Sequence, residues 1–273
     1  MIQALRPSCG LRDRTDLLSL VVLVAGLAWL SLGWAGRIPI WAWPVSPVVV
    51  YLGYLINHNH LHLSLWRTRR QHPANRLTGV ALSALMGFPA AAVAPLHLDN
   101  HHRATNSEDD FMWTGMMRGR PGWWALLSYP LAAARRYRRH RQAAHAAYGQ
   151  RHADWPRELR AQRLLMAGLV LAALVAAPLA TVLWLLLPWL LGQAWIINAN
   201  FIQHHGCDPT DPHGHCRCTT GWINRFIFNG GWHLAHHSHP SLHWSRLPAL
   251  GLQSRSAGRS LAVQLWRLAY ERA

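Results

Sequence analysis

The chain has 273 residues, enough for one large domain or two small ones. Hydrophobic residues make up 51% of it and charged residues only 14%, which excludes a disordered chain. Four cysteines are too few for a secreted disulfide scaffold. All 27 basic residues are arginine, and with 11 acidic residues they give a net charge of +16. Strongly apolar runs alternate with segments rich in arginine and histidine, which is typical of an integral membrane protein with one large polar side.

Four apolar runs are long enough to cross a bilayer as helices. They lie at about residues 17–35, 38–57, 164–182 and 183–203. The last two form a hairpin, which we expect to break near Pro188. A weaker run at residues 77–96 is interrupted by Pro89 and Pro95, and we predict that it is re-entrant or interfacial.

The distribution of arginine sets the orientation of these spans. If residues 77–96 do not cross the membrane, 26 of the 27 arginines lie on one side. The positive-inside rule makes that side cytoplasmic, as in a bacterial inner membrane. Because the arginines lie beside membrane spans, their charge reflects topology, and nucleic acid is not an expected partner.

The histidines gather in four clusters near the ends of the apolar runs. The clusters are His58, His60 and His62; His97, His101 and His102; His204 and His205; and His233, His236 and His237. Residues three or four apart share one face of a helix, so His58 and His62 can direct two imidazoles at one point. Neutral imidazole binds Zn, Fe, Cu and Ni. The ligands that these clusters offer exceed what one ion can hold, so the sequence predicts two metal ions at the cytoplasmic membrane boundary.

Four segments carry these clusters together with distinctive flanking residues. They are HNHLH at residues 58–62, HLDNHHRATNSEDD at 97–110, NANFIQHHGCDP at 198–209 and FNGGWHLAHHSHPSLHWSRLP at 228–248. In these segments the sequence resembles the membrane fatty-acid desaturase and hydroxylase superfamily, over about residues 48–248. The resemblance implies an all-α integral membrane enzyme. In this family the histidine boxes bind a non-haem di-iron centre, which activates O₂ to attack an unactivated C–H bond.

The resemblance assigns the metal ligands residue by residue. They are His58, His62, His97, His101, His102, His204, His233, His236 and His237. His204 corresponds to the family's additional ligand between the boxes, and Asn200, one helical turn earlier, is placed to hold a metal-bound water. The implied cofactors are two iron ions, with O₂ as co-substrate and electrons from an external donor.

The implied fold has four transmembrane helices, a re-entrant or interfacial helix, and a cytoplasmic helical cap that carries the boxes. The cap comprises residues 58–163 and 204–273 of a single desaturase-like domain. The implied substrate is a lipid or an acyl chain on a carrier, and the reaction is desaturation or hydroxylation. The sequence contains no CxxCH haem motif and no cysteine spacing for an iron–sulfur cluster. Electrons are therefore expected from a separate ferredoxin or cytochrome-type protein.

Two features of the boxes depart from the family pattern. The second box reads HxxxHH instead of the common HxxHH, which puts mainly the role of His97 in question. His60 lies on the opposite side of a helix from His58 and His62, and we expect it behind the ligands or at the surface. The other histidines are expected to be packed or interfacial residues; they are His72, His140, His145, His152, His239 and His243.

Acidic residues and cysteines beside the boxes each have two interpretations. Asp99 or Asp109 either accepts a hydrogen bond from a metal-bound histidine or lies at a solvated surface. Cys207, Cys216 and Cys218 either form a zinc site with nearby histidines or remain free thiols. Their spacing fits no standard zinc pattern, which favours free thiols on a reducing face.

Residues 122–134 are predicted to form an interfacial helix that leads into an arginine-rich stretch at residues 135–141. These arginines either contact anionic membrane lipids or bind an acidic electron-transfer protein. Contact with headgroups is the favoured interpretation, and both contacts are compatible.

The sequence leaves three other functions open. A carotenoid hydroxylase or ketolase would use the same metal chemistry on a different lipid. A metal-handling membrane protein would place ionisable residues inside the spans, and residues 17–34 and 164–202 contain none. A non-catalytic lipid-binding relative would not be expected to keep the whole ligand set.

Overall fold

The computed structural model describes residues 10–254 and 260–270. These residues contain no strand, and an isolated backbone bridge joins Leu11 to Trp66. Four helices are long and apolar enough to cross a membrane: Asp16–Trp34, Ile40–His62, Trp155–Ala176 and Pro178–His204. We number them as the first to the fourth span in chain order. The predicted all-α membrane fold is confirmed.

The chain divides into two compact units, each built from two stretches of sequence. The first unit comprises Met1–Ala92 and His152–Gln193, and the second comprises Val93–Arg151 and Ala194–Ala273. The first unit therefore contains three complete spans and the beginning of the fourth. The second unit contains the end of the fourth span and every histidine cluster except the first.

Two glycines let three helices of the first unit approach closely. Leu85, on the helix Pro73–Met86, lies against Gly26 of the first span and Gly53 of the second span. A Cβ atom added to either glycine would come within 2.9 Å of a methyl group of Leu85. Lipid offers little hydrophobic driving force between helices, so such close contacts supply van der Waals attraction instead.

Two tryptophans in the first span donate hydrogen bonds to neighbouring helices. Trp29 Nε1 donates to Ser46 Oγ at 3.0 Å, and Trp34 Nε1 donates to Thr181 Oγ1 at 2.9 Å. A polar group in hydrocarbon is costly without a partner. These bonds therefore join the first span to the second and fourth spans.

The turn between the third and fourth spans lies earlier than the sequence suggested. Ala177 is extended (φ −154°, ψ 79°) and is followed by Pro178, which begins the fourth span. A residue before proline avoids helical angles, and proline suits the first helical position because its missing N–H would have no partner there. The predicted break near Pro188 is wrong. The π-helix Val182–Leu186 precedes this proline, and the helix continues through it, so the boundary expected at residues 182–183 lies at residue 177.

The weaker apolar run forms two helices, Pro73–Met86 and Ala90–Ala104, with a sharp bend between them. His72 caps the first helix, since its Nδ1 accepts the N–H of Ala74 at 3.2 Å. The helix ends at Gly87 in the left-handed conformation (φ 67°), which glycine adopts without strain. This run is therefore not one straight span, and its re-entrant or interfacial placement stays a prediction.

In the second unit, the 30-residue helix Gly122–Arg151 packs with Leu261–Tyr270 and with the end of the fourth span. We call Gly122–Arg151 the long helix. The buried apolar side chains of this contact are Met117, Ala125, Tyr129, Ala133, Phe201, Ile202 and Leu268. This core fixes the last turns of the fourth span, where a histidine cluster begins.

Candidate metal centre

The first histidine cluster lies on the last turns of the second span, within the first unit. The rings of His58 and His62 form an edge-to-face pair with centroids 5.1 Å apart, and a ligand nitrogen of each lies within 4.8 Å of the other's. His60, between them, is buried, and its Nδ1 accepts the N–H of Leu65 at 3.1 Å. His60 therefore holds the chain that follows the span, and the surface position considered for it is wrong.

The π-helix Pro95–His101 carries the second cluster, within the second unit. A π-helical turn contains more residues than an α-helical turn, so residues four and five apart share a face. His97 stacks on His101 with ring centroids 5.6 Å apart, and His97 Nε2 lies 3.1 Å from His102 Nε2. The three histidines of the box thus lie close to one another.

The remaining clusters belong to the end of the fourth span and to the short helix His233–Ser238. His204 is the last residue of the span and is 0% exposed. His233 and His237 are four residues apart, and their ring centroids are 4.5 Å apart. The sequence spacing therefore places this pair on one face, as predicted.

Four histidines of the second unit converge on one point. We call them the buried group: His101, His204, His233 and His237. Their ligand nitrogens all lie within 4.8 Å of one another, with His233 Nε2 at 2.8 Å from His204 Nε2 and 3.1 Å from His237 Nε2. Metal–nitrogen bonds of about 2.1 Å separate the ligand atoms of one ion by about 3–4 Å. The spacing therefore fits four ligands of a common cation.

A second convergent set in the same unit consists of His97, His102 and His236, which we call the three-histidine group. Their ligand nitrogens also lie within 4.8 Å of one another, and His236 Nε2 is 3.1 Å from His102 Nε2. The second and third boxes each contribute to both sets. Each set offers ligands for a metal ion, and the two ions expected from the number of histidines stay a prediction.

A buried carboxylate contacts the ring nitrogen of His101 that would not bind the metal. Asp110 Oδ2 lies 2.8 Å from His101 Nδ1. Burial alone would raise the pKa of Asp110, but its interaction with His101 and the N–H donors of Met112 and Asn106 bring that pKa below its usual value. Ionised Asp110 keeps the proton of His101 on Nδ1, which leaves Nε2 for a metal.

The carboxylates predicted for this support lie elsewhere. Asp99 pairs with Arg103 at 3.7 Å and with Arg151. Asp109 is exposed. Among the described residues, the carboxylate that pairs with His101 is that of Asp110, and neither Asp99 nor Asp109 forms such a pair. Linear spacing could not single it out from the other acidic residues of the same loop.

The donor set is chemically suited to a transition metal. Burial and the surrounding histidines lower the pKa of His237 well below its usual value, so its ring is neutral at pH 7. Neutral imidazole is the form that binds metal. His204 Nδ1 lies 3.0 Å from the backbone oxygen of His215, which directs the other ring nitrogen of His204 towards the group.

Comparison with known proteins agrees with this geometry. The chain matches the family described as Fatty acid desaturase over residues 35–263, most of its length. It belongs to the fatty acid desaturase family. No curated protein and no solved structure matches it significantly. Membership in this family and the four apolar helices together indicate an integral membrane protein. The two histidine groups fit a family that oxidises lipids.

The π-helix accounts for the unusual second box of this desaturase family member. HxxxHH contains one residue more than HxxHH, and a π-helical turn absorbs one additional residue while the flanking positions keep a common face. His97 consequently remains beside His102, and the longer spacing does not remove it from the three-histidine group.

Asn200 lies one turn before His204, but its amide nitrogen has structural partners. Asn200 Nδ2 donates to Tyr129 Oη at 2.9 Å and to the carbonyl oxygen of Met112 at 3.2 Å. Its Oδ1 is therefore the atom that would hold a metal-bound water. That role of Asn200 stays a prediction.

The cysteines of the loop after the fourth span are free thiols. Cys216 and Cys218 pack with Leu234 in an apolar cluster. Burial raises the pKa of Cys207 to about 11 and also raises that of Cys216, whereas zinc binds the thiolate. Among the described residues, neither convergent group includes a cysteine, so the geometry favours the free-thiol interpretation.

Four of the histidines outside the clusters have local structural roles. His72 and His243 each accept the backbone N–H two residues later, at 3.2 Å and 3.3 Å. On the long helix, His140 stacks on a phenylalanine ring with centroids 5.4 Å apart, and His145 contacts a tyrosine hydroxyl at 2.8 Å. These positions agree with the expectation that they are not ligands.

Proposed function

We propose that this protein uses O₂ to oxidise an unactivated C–H bond of a fatty-acyl lipid, by desaturation or hydroxylation. The observation that carries the proposal is the convergence of seven imidazoles of the second unit into two sets. Membership in the fatty acid desaturase family supports a lipid substrate and a membrane setting. A metal-handling role is not favoured, because no ionisable residue interrupts residues 17–34 or 164–202.

The proposed cofactors are two iron ions. The four histidines of the buried group would hold one ion, and the three-histidine group would hold the other. We propose His58 and His62 as further iron ligands, because their rings pair on one face of the second span and the family's first box supplies ligands. Iron is proposed in place of zinc because zinc does not change its redox state.

Iron held in these groups would supply electrons to O₂. Hydroxylation converts R–H, O₂, two electrons and two protons into R–OH and one water. Desaturation converts –CH₂–CH₂–, O₂, two electrons and two protons into –CH=CH– and two waters. The residues of this chain hold the ligand nitrogens together and exclude bulk water, since His101 is 3% exposed and His233 is 7% exposed.

The concentration of arginine on one side supports a metal centre at the cytoplasmic face, in a bacterial inner membrane. The substrate would be a membrane lipid or an acyl chain on a carrier. The two electrons would come from a separate ferredoxin or cytochrome-type protein.

The long helix exposes a basic surface close to the support of the buried group. We define this surface as Arg135, Arg138, Arg139 and Arg141, all exposed. On the same helix, Arg136 turns towards the box and its Nε donates to the carbonyl oxygen of Asp110 at 3.1 Å. We propose that an acidic electron carrier binds the basic surface, since Asp110 in turn contacts His101.

The proposed function is tested by the metal content and the lipid products of detergent-purified protein. We expect about two irons per chain and an oxidised acyl lipid when a reductant and O₂ are supplied. A His101→Ala/His237→Ala protein is the control and should lose iron and product. A carotenoid product would support the hydroxylase or ketolase alternative, and a protein that binds no metal would support a non-catalytic role.

Reversing the charge of Arg135, Arg138 and Arg139 to glutamate is expected to slow reduction by an acidic carrier by about 10-fold or more, because charge attraction accelerates encounter. Wild-type reduction should slow similarly as salt is added. Turnover driven by dithionite should not change, because dithionite bypasses docking. Unchanged reduction by the carrier, with weaker binding to anionic vesicles, would assign the basic surface to lipid headgroups alone.

A further inference from the structure

Asn106 connects the second box to the end of the fourth span, within the second unit. It is 5% exposed and adopts the left-handed conformation, with φ 58°. Its Nδ2 donates to the carbonyl oxygen of His204 at 2.9 Å. Its backbone N–H donates at 2.8 Å to Asp110 Oδ2, the oxygen that also lies 2.8 Å from His101 Nδ1. Asn106 thus bonds both to the backbone of His204 and to the carboxylate that holds His101.

Thr114 determines which way the amide of Asn106 points. The backbone N–H of Thr114 donates to Asn106 Oδ1 at 2.9 Å, and its hydroxyl donates to the same oxygen at 2.8 Å. With two donors on the oxygen, the amino end must face the carbonyl of His204. That carbonyl ends a helix and also accepts the N–H of Cys207 at 3.1 Å, so Asn106 is its partner from the second box. Asparagine is also among the non-glycine residues that best tolerate left-handed backbone.

We infer that Asn106 is a positioning residue that holds His101 and His204 in one arrangement, so that the buried group is preformed for its metal ion. This inference rests on the proposed function only for the identity of that ion. Without the Nδ2 donor, the carbonyl of His204 loses its bond to the second box, and His204 can shift relative to His101. Loss of a residue that supports ligands in this way reduces metal affinity or activity by about 10–100-fold.

Asn224 provides a matched control in the same unit. It is 6% exposed, its Nδ2 donates to the carbonyl oxygen of Thr219 at 2.8 Å, and its Oδ1 accepts the N–H of Gly231 at 3.0 Å. Its side chain therefore makes the same kinds of bond as that of Asn106 but contacts no proposed ligand. Changing either asparagine to aspartate removes the amino donor and keeps the acceptor oxygen.

The test measures Co²⁺ affinity by visible absorption, iron per chain by elemental mass spectrometry, and thermal unfolding. We expect Asn106→Asp to weaken Co²⁺ binding by about 10–100-fold and to lower iron from about two to about one per chain. Asn224→Asp should keep the wild-type Co²⁺ affinity and iron content, even if its melting temperature falls as much as that of Asn106→Asp. Asn106→Gly, which keeps the left-handed backbone without the side chain, should behave like Asn106→Asp and serves if the aspartate variant does not fold.

Two results would overturn the inference: full metal affinity in both Asn106 variants, or an equal loss in Asn224→Asp, which would indicate general destabilisation. Failure of the proposed function gives a different result. In that case the wild-type protein binds Co²⁺ but forms no oxidised lipid, and the difference between Asn106 and Asn224 variants is still measured.

Discussion

Replacing His237 with alanine is expected to abolish lipid oxidation and to remove iron from the buried group. The His237 ring lies 4.5 Å from that of His233 and 5.1 Å from those of His101 and His204, measured between centroids. Removing it deletes one of four convergent nitrogens. Loss of a mere support of a ligand costs about 10–100-fold, so loss of the ligand itself should exceed about 100-fold in activity. Iron per chain and acyl products from the same preparation measure both effects.

His140→Ala is the control for that experiment. His140 is an exposed histidine of the long helix and belongs to neither convergent group. Its replacement removes an imidazole but leaves every proposed ligand in place, so iron content and turnover should stay near the wild-type values. A His237→Ala protein with full iron and full activity would contradict the ligand assignment.

Helical periodicity predicted much of the candidate site, because pairs four residues apart share a face in any helix. His58 and His62 are such a pair, as are His233 and His237, and both are close in space. The position of His97 beside both His101 and His102 could not be derived in this way. It depends on the π-helix of the second box, which no spacing of apolar residues indicates.

Contacts between distant residues could not be predicted, because sequence patterns report mainly on neighbours along one element. Asp110 meets His101 across nine positions of an irregular loop, and Asn106 meets His204 across 98 positions. The position of the turn after Ala176 differs from the prediction for another reason. The apolar stretch contains two prolines that could each end a helix. Pro178 follows an extended residue and marks the turn, whereas Pro188 follows a π-helix and lies within the span.

Replacing Asp110 with asparagine is expected to reduce activity and iron affinity by about 10–100-fold, although it changes only one oxygen into an amino group. Three donors at 2.8 Å face the carboxylate: His101 Nδ1 and the N–H of Asn106 at Oδ2, and the N–H of Met112 at Oδ1. An amide has a single acceptor oxygen, so its amino group must face one or more of these donors. If it faces His101 Nδ1, that ring takes its proton on Nε2, and Nε2 can then no longer bind a metal.

Asp109→Asn isolates this effect, because it makes the same chemical change one residue away on an exposed side chain. Its iron content and turnover should match the wild type. Thermal unfolding of both variants separates the two roles that Asp110 can have in the loop. If Asp110→Asn lowers the melting temperature but keeps full iron and activity, the carboxylate only stabilises the loop. If iron is lost while the protein stays folded, the carboxylate sets the tautomer of His101, and the metal centre depends on a residue that is not itself a ligand.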